Sequence, residues 1–132
     1  AARGEGGLAA NVFDPGVLDE LRSLGLGESF EREFIVQCLR DAEECLMQLS
    51  QGGDHGDWDR IREQAHALKG VASNLGLMRL SAASGEVMRM QDWQLSRDWR
   101  QHAIKLGEQL SLGRSALDRR SQALGASGEN AP

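Results

Sequence analysis

The types and spacing of three residues, His66, Lys69 and Gly70, point to a defined chemistry. The lysine stands three residues after the histidine, about one helical turn, and the glycine follows the lysine directly. An imidazole that faces water, with a fixed positive charge beside it and open space around it, can form a covalent bond to a phosphoryl group. We therefore predict His66 as a phosphoryl acceptor and Lys69 as the cation that stabilises the phosphoryl oxygens.

Two further polar residues, Arg62 and Ser73, lie on the same helical flank as His66. They stand four residues before and seven residues after the histidine, so all three side chains point in nearly the same direction. The apolar seam of this helix centres about a third of a turn away from His66. The seam consists of Trp58, Ile61, Ala65, Leu68, Ala72 and Leu75. The spacing predicts that His66 faces solvent, with Arg62 and Ser73 as supporting residues.

Gly70 admits two interpretations. Glycine inside a helix costs about 1 kcal/mol relative to alanine, so its presence needs a reason. The missing side chain would let another protein or a tetrahedral phosphoryl group approach the His66 ring, or it would let a neighbouring helix pack closely. A histidine beside a lysine is also common on solvated surfaces, so the functional interpretation depends on the full cluster.

The elements that must position this cluster are helices. Apolar residues recur at spacings of three and four, and no segment of useful length alternates as a strand would. The predicted helices span about residues 15–24, 29–50, 58–75, 80–90 and 96–124. Four long amphipathic helices with short connections favour an all-α fold. We predict an antiparallel up-down four-helix bundle, with the extra short N-terminal helix lying across one end.

Capping residues and glycine clusters set the predicted boundaries. Asp14 precedes Pro15 as the N-cap of the first helix, Asp57 is an N-cap for the third, and Gly76 ends the third. Residues 51–57 are predicted as a turn. The predicted organisation is a linker over 1–11, the bundle domain over 12–124 and a disordered tail over 125–132.

Length and charge exclude several classes of protein. A chain of 132 residues favours one domain, and a net charge of −5 without a basic stripe argues against a nucleic-acid surface. No apolar run approaches the roughly 18 residues that span a bilayer, so we expect no direct membrane contact. Cys38 and Cys45 stand two helical turns apart, too far to bridge, and are predicted as small core residues in a reducing compartment.

The remaining histidines predict no metal site. His55 stands in the predicted turn beside Asp54 and Asp57, where a weak metal site is an alternative to the simpler interpretation of a solvated turn. His102 has no acidic or cysteine partner at ligand spacing. The acidic residues form no pair that suits acid–base chemistry.

The chain resembles the histidine-containing phosphotransfer (HPt) domain of multistep phosphorelays. The pattern is His-x-Leu-Lys-Gly, then small residues and a second glycine ten positions after the histidine. It is carried here by His66, Leu68, Lys69, Gly70 and Gly76, with Ala72 and Ser73 between. The resemblance extends over about residues 13–124. Val71 departs from the pattern, because a smaller residue is common there, and this would narrow the set of partners that dock well.

The resemblance implies a mechanism. Nε2 of His66 attacks the phosphoaspartate of a receiver domain, and the phosphoryl group then passes to an aspartate of a second receiver, or back. The receiver supplies Mg²⁺, and this module binds no cofactor. It has no glycine-rich phosphate loop, so we expect it neither to bind ATP nor to phosphorylate itself. Receivers are expected to dock on the second and third helices near His66, with Asn74 and Gly76 close by.

The resemblance also implies a place in a longer protein. The module looks like the C-terminal part of a bacterial hybrid sensor histidine kinase of the kind used in quorum sensing. Its partners would be receiver domains of response regulators or of the same kinase. We expect a cytoplasmic domain that is monomeric in isolation, in a parent chain anchored in the inner membrane.

Two other functions fit a helical bundle. The first is an adaptor that binds a receiver or another signalling protein without carrying phosphate. The second is a small metal-binding bundle, which is weak because the sequence lacks inward carboxylates paired with histidine. Transfer of an acid-labile, alkali-stable label from a phosphorylated receiver distinguishes the phosphocarrier from the adaptor.

Overall fold

The computed structural model describes residues 12–129, so the predicted linker over 1–11 lies outside the described residues. Five helices and no strand are found in this part of the chain. The helices are α1 (Pro15–Ser23), α2 (Glu28–Asp54), α3 (Trp58–Leu75), α4 (Met78–Met88) and α5 (Asp92–Glu129). The all-α prediction is confirmed.

Helices α2 to α5 form the bundle. Helix α2 packs against α3, α3 against α4, α4 against α5, and α5 returns to α2. Neighbours around the bundle are therefore neighbours along the chain, as expected for an up-down topology with short connections. Helix α1 contacts α2 and α3, and the Asp14 backbone N–H donates to the Gly76 carbonyl at 2.7 Å. This bond fixes α1 to the end of the bundle where α3 terminates.

The core is built from the apolar seams of the helices. On α3, the seam residues Ile61, Ala65, Leu68, Ala72 and Leu75 are all fully buried. Each buried Leu or Ile side chain contributes about 1.5–3 kcal/mol relative to exposure. Because α3 presents this seam to its neighbours, the opposite flank of the helix remains in solvent.

Local signals fix both ends of α3. The Asp57 carboxylate accepts a hydrogen bond from the Arg60 backbone N–H at 3.1 Å, as an N-cap does. Gly76 ends the helix with φ +77°, a left-handed conformation that favours glycine. Asp14 accepts from the Gly16 N–H at 2.9 Å and caps α1. These three capping predictions are confirmed.

The turn predicted over residues 51–57 was wrong in its first half. Helix α2 continues to Asp54, and Gly52 and Gly53 are buried within it. A Cβ on Gly53 would lie 2.3 Å from the Trp99 ring, so the glycine makes room for this indole from α5. Packing of the large aromatic ring offsets the cost of glycine in a helix.

Two later boundaries also differ from the prediction. Helix α4 spans Met78–Met88 instead of 80–90, because the tight turn at Gly76 lets the buried Leu77 precede the helix directly. Helix α5 extends beyond the predicted 96–124 at both ends. The tail predicted over 125–132 is helical as far as Glu129, since backbone hydrogen bonds within a helix need no tertiary partner, and 130–132 lie outside the described residues.

Among residues 12–129, no helix is both long enough and apolar enough to cross a bilayer.

Candidate functional site

His66 lies on the solvent side of α3. Its side chain is exposed, whereas Ala65 and Leu68 on either side are fully buried. Within the part of the chain that the structure describes, no hydrogen bond or ion pair holds the imidazole ring. The exposure predicted from helical spacing is therefore observed, and both ring nitrogens are open to an incoming group.

The polar stripe on α3 runs along the border with α4. Arg62, near its beginning, donates from Nη1 to the Met90 carbonyl at 3.0 Å, just beyond the end of α4. Ser73, near its end, shares a hydrogen bond of 3.0 Å with the Ser81 hydroxyl of α4. His66 lies between these two contacts on the same stripe, so it stands on the flank of α3 that adjoins α4.

Lys69 is exposed, and its stem runs across α4. Its Cδ and Cε lie 3.9 Å from the point that a Cβ on Gly85 would occupy. Among the side chains described, those of residues 12–125, no carboxylate pairs with the Lys69 ammonium. The charge of Lys69, one helical turn from His66, is therefore not neutralised by a partner within the fold.

The structure corrects the role predicted for Arg62. Its Nη2 donates to the carboxylates of Asp59 and Asp92, both at 2.7 Å. The pKa of Arg62 lies above its ordinary value. The largest cause is the hydrogen bond to Asp59, followed by the hydrogen bond to Asp92. Arg62 ties α3 to the connection between α4 and α5, and its charge is offset by two carboxylates. It is a structural clamp beneath His66, not a supporting cation.

The structure argues against one of the two interpretations of Gly70, close packing of a neighbouring helix. A Cβ built on Gly70 would meet no atom within 4 Å, so no neighbouring helix requires the missing side chain. The glycine is exposed, four residues after His66. Open surface at this position favours the interpretation in which an approaching molecule needs the space.

The two predicted docking residues, Asn74 and Gly76, differ in their exposure to solvent. Asn74 is exposed and, together with Ser73, lines an open groove of about 530 Å³ between α1, α2 and the end of α3. Gly76 is buried, and a Cβ there would lie 2.3 Å from the Asp14 carbonyl oxygen. Docking through Gly76 was a wrong prediction, because α1 covers this residue. Its role is to end α3.

Gly85 is a residue of this site that the sequence analysis missed. It is buried on the side of α4 that meets α3, where the Lys69 stem passes over it. The available signal was a second glycine inside an amphipathic helix, which costs about 1 kcal/mol relative to alanine. Its meaning required the pairing of α3 with α4, which periodicity alone does not give.

The other reactive side chains are accounted for by the fold. Nδ1 of His55 lies 2.7 Å from the Gln51 carbonyl oxygen at the end of α2. No group of three or more metal-ligating side chains is found among residues 12–125, whose side chains the structure describes. Cys38 and Cys45 are free and buried, and burial raises the pKa of both thiols. Both cysteines therefore pack as small apolar residues.

Comparison with known proteins places this geometry in context. The family model of the Hpt domain matches residues 33–124. The sensory/regulatory protein RpfC of Xanthomonas campestris pv. campestris, in two strains, is 53% identical over 111 residues, which cover 84% of this chain. The chain spans 15% of the length of these curated relatives.

A solved structure shares the fold. The crystal structure of histidine-containing phosphotransfer protein B (HptB) from Pseudomonas aeruginosa PAO1 aligns with a TM-score of 0.77 and 22% identity. The alignment covers 86% of this chain and 97% of that one. The helical bundle described above is therefore an architecture already known from experiment.

Proposed function

The chain belongs to the Hpt domain family, and from this premise we propose that His66 is the residue that carries the phosphoryl group. Hpt domains pass phosphoryl groups to receiver domains in two-component phosphorelays. The observation that carries the assignment to His66 is its exposed ring, one turn from the unpaired Lys69. His55, by contrast, has its Nδ1 at hydrogen-bond distance from a backbone carbonyl at a helix end.

The proposed step is an exchange of one bond to phosphorus for another. The lone pair of His66 Nε2 forms a bond to the phosphorus of a receiver phosphoaspartate. The bond from phosphorus to the aspartyl oxygen breaks, and the carboxylate leaves with its electron pair. The proton on Nδ1 stays on the ring. Attack on the phosphohistidine by the aspartate of a second receiver returns the imidazole to its starting state.

The neighbouring residues serve this step in different ways. Lys69 places a positive charge where the oxygens of the transferred group gather negative charge, which lowers the energy of the transition state. Gly70 leaves surface free so that the receiver can bring its aspartate to the ring. Arg62, one helical turn before His66 on α3, holds the α4–α5 connection against α3 through Met90 and Asp92.

The proposed partners follow from membership of the Hpt family, whose domains pass phosphoryl groups to receiver domains. We propose that the receiver domain brings the Mg²⁺ that neutralises the charge of the transferred group. The receivers would belong to response regulators or to the same longer protein. By its similarity to part of RpfC, this chain would serve as one module of a hybrid sensor kinase on the cytoplasmic side of the inner membrane, used in quorum sensing, and would be monomeric alone.

The test is transfer from a phosphorylated receiver domain. The module is incubated with receivers of the source organism, and the label is analysed for stability in acid and alkali. Wild type and the control His55→Gln are expected to take up alkali-stable, acid-labile label, and His66→Gln none. Label that persists in His66→Gln would place the acceptor elsewhere. Binding of receivers without any transfer would indicate an adaptor.

A further inference from the structure

A second cation meets Lys69 over Gly85. Nη1 of Arg89 lies 3.3 Å from the point that a Cβ on Gly85 would occupy, and Cδ and Cε of Lys69 lie 3.9 Å from the same point. Arg89 Nη1 and the Lys69 stem are therefore separated by no more than the sum of these distances. The two side chains come from different helices, so their convergence is produced by the packing of α3 against α4.

The register of these helices brings Arg89 alongside His66. Ser73 bonds to Ser81, and Lys69 passes over Gly85 nearer the other end of α4. Arg62 then reaches the carbonyl just beyond α4. Along this antiparallel pair, the level of His66 falls between Gly85 and the end of α4. The Arg89 side chain starts at that end and reaches back to Gly85, so it passes the level of His66.

Neither cation has an acidic partner. In the described part of the chain, no carboxylate pairs with Lys69 or Arg89. Glu86, the acidic residue next to Gly85, turns towards α5, where its carboxylate lies 3.5 Å from the Lys105 ammonium. Two positive charges held close together without a counterion repel each other and attract an anion. An anion that bridges them would remove that repulsion.

We propose that Arg89 is a second phosphoryl-binding cation, which contacts the oxygens of the group on His66 from the α4 side. This inference rests on the proposed function of His66. In the transfer step, Lys69 and Arg89 would hold the phosphoryl oxygens from two sides while the bond to Nε2 forms. A guanidinium suits this task because its planar donors match the spacing of phosphoryl oxygens.

The structural alternative is that Arg89 only stabilises the end of α4. Arg89 is the residue that ends this helix, and a cation there interacts favourably with the last carbonyls. If Arg89 has only that role, its substitution should lower the stability of the protein and leave the rate of phosphorylation unchanged. The two roles are therefore separable by measuring both quantities on the same variants.

The experiment uses phosphoramidate, a small-molecule phosphoryl donor, so that receiver docking does not enter. The rate at which His66 is phosphorylated is followed by mass spectrometry for wild type, Arg89→Gln and Arg89→Lys. Arg119→Gln is the matched control, because it removes one exposed arginine on α5 and changes the net charge equally. Urea unfolding is measured for each variant.

Arg89→Gln is expected to slow phosphorylation about threefold to fivefold, the effect of losing one exposed charge contact. Arg89→Lys should recover most of the rate, Arg119→Gln should match wild type, and all unfolding midpoints should agree. Equal rates for wild type and Arg89→Gln would overturn this inference alone. A lower unfolding midpoint with no rate change would assign Arg89 to the helix end. Phosphorylation of wild type on a residue other than His66 would overturn the proposed function, and this inference with it.

Discussion

A cluster of charged residues at the end of the bundle, Glu31, Arg120 and Asp19, is paired, whereas Lys69 and Arg89 near His66 have no ion-pair partner in the described chain. Glu31 of α2 is buried and accepts hydrogen bonds from Arg120 of α5 at 3.0 and 3.1 Å. Arg120 also bonds to Asp19 of α1 at 2.9 Å, so one guanidinium joins three helices. Beside His66, the ammonium of Lys69 has no such partner in the described chain.

This difference separates cations whose charge is used within the fold from cations whose charge remains open to solvent. At the bundle end, hydrogen bonds from Arg120 are the largest cause of a pKa of Glu31 below its usual value, against the opposing effect of burial. The carboxylate of Glu31 and the guanidinium of Arg120 are paired with each other within the protein. On the α3–α4 flank the field of Lys69 remains open to solvent, where an anion can use it. The pairing of Arg120 with carboxylates, which Lys69 lacks, distinguishes these two cations.

The largest expected effect is on the free energy of unfolding, from substitution of Glu31 at the end of the bundle. Glu31→Gln leaves the guanidinium of Arg120 without its buried carboxylate and should lower the free energy of unfolding by about 3 kcal/mol. Phosphorylation of His66, at the middle of α3, should keep its rate. Urea unfolding followed by circular dichroism measures the first quantity. Glu33→Gln, an exposed neutralisation on the same helix, should change stability by no more than about 0.5 kcal/mol.

The pH dependence of the same variant gives an independent check. The pKa of Glu31 is lowered from about 4.5 in the folded state, chiefly by Arg120. A lowered folded pKa means that ionised Glu31 contributes stability above the unfolded value, and that this contribution is lost as the pH falls through the folded value. The difference between wild type and Glu31→Gln should therefore narrow below about pH 4.5. A gap that stays constant down to acid denaturation would contradict the paired role of Glu31.

The next largest effect is expected at Lys69, where a substitution should slow transfer and leave stability unchanged, the reverse of Glu31→Gln. Lys69→Ala should slow phosphoryl transfer to His66 about tenfold, equivalent to ~1.4 kcal/mol in the barrier. Its stability should change by no more than about 0.5 kcal/mol, because the side chain is exposed and makes no ion pair in the described chain. Arg119→Ala removes an exposed cation on α5, away from His66, and should leave transfer unchanged. Unfolding of Lys69→Ala would show that Lys69 supports the fold.

The sequence alone predicts what a single helix decides. The bounds of α3 were predicted correctly because Asp57 and Gly76 cap it through local hydrogen bonds. Exposure of His66 follows from the same helix, since the buried seam fixes the opposite flank. The end of α2 was missed because Gly53 resembles a turn residue until Trp99 of α5 packs against it. Contacts between helices far apart in sequence carry that information.

In the candidate site, too, the features that depend on contacts between helices could not be predicted from the sequence. Arg62 shares the stripe of His66, yet its function depends on Asp92 and on a carbonyl beyond α4, which no local pattern reveals. Gly76 was correctly predicted as a helix end and wrongly as a docking residue, because only the placement of α1 shows that it is covered. The reason for a glycine at position 85 becomes clear only from the structure, in which the Lys69 side chain passes over it. Helix geometry predicted the exposed flank on which His66 lies, and helix packing determined what surrounds it.

The smallest expected effect tests that packing directly. In Gly85→Ala the new Cβ would lie 3.3 Å from Nη1 of Arg89 and 3.9 Å from the Lys69 stem. These flexible ends can move aside, and alanine gains up to about 1 kcal/mol of helix propensity, so stability should hold or rise. Phosphorylation of His66 by phosphoramidate should slow about twofold, because both cations are displaced from their positions. Gly107→Ala, whose Cβ would meet Leu46 at an ordinary 3.7 Å, makes the same change on α5 and should leave the rate unaltered. A Gly85→Ala protein that transfers as fast as wild type would show that the two cations need no fixed position, and that the contrast between paired and unpaired regions does not extend to geometry.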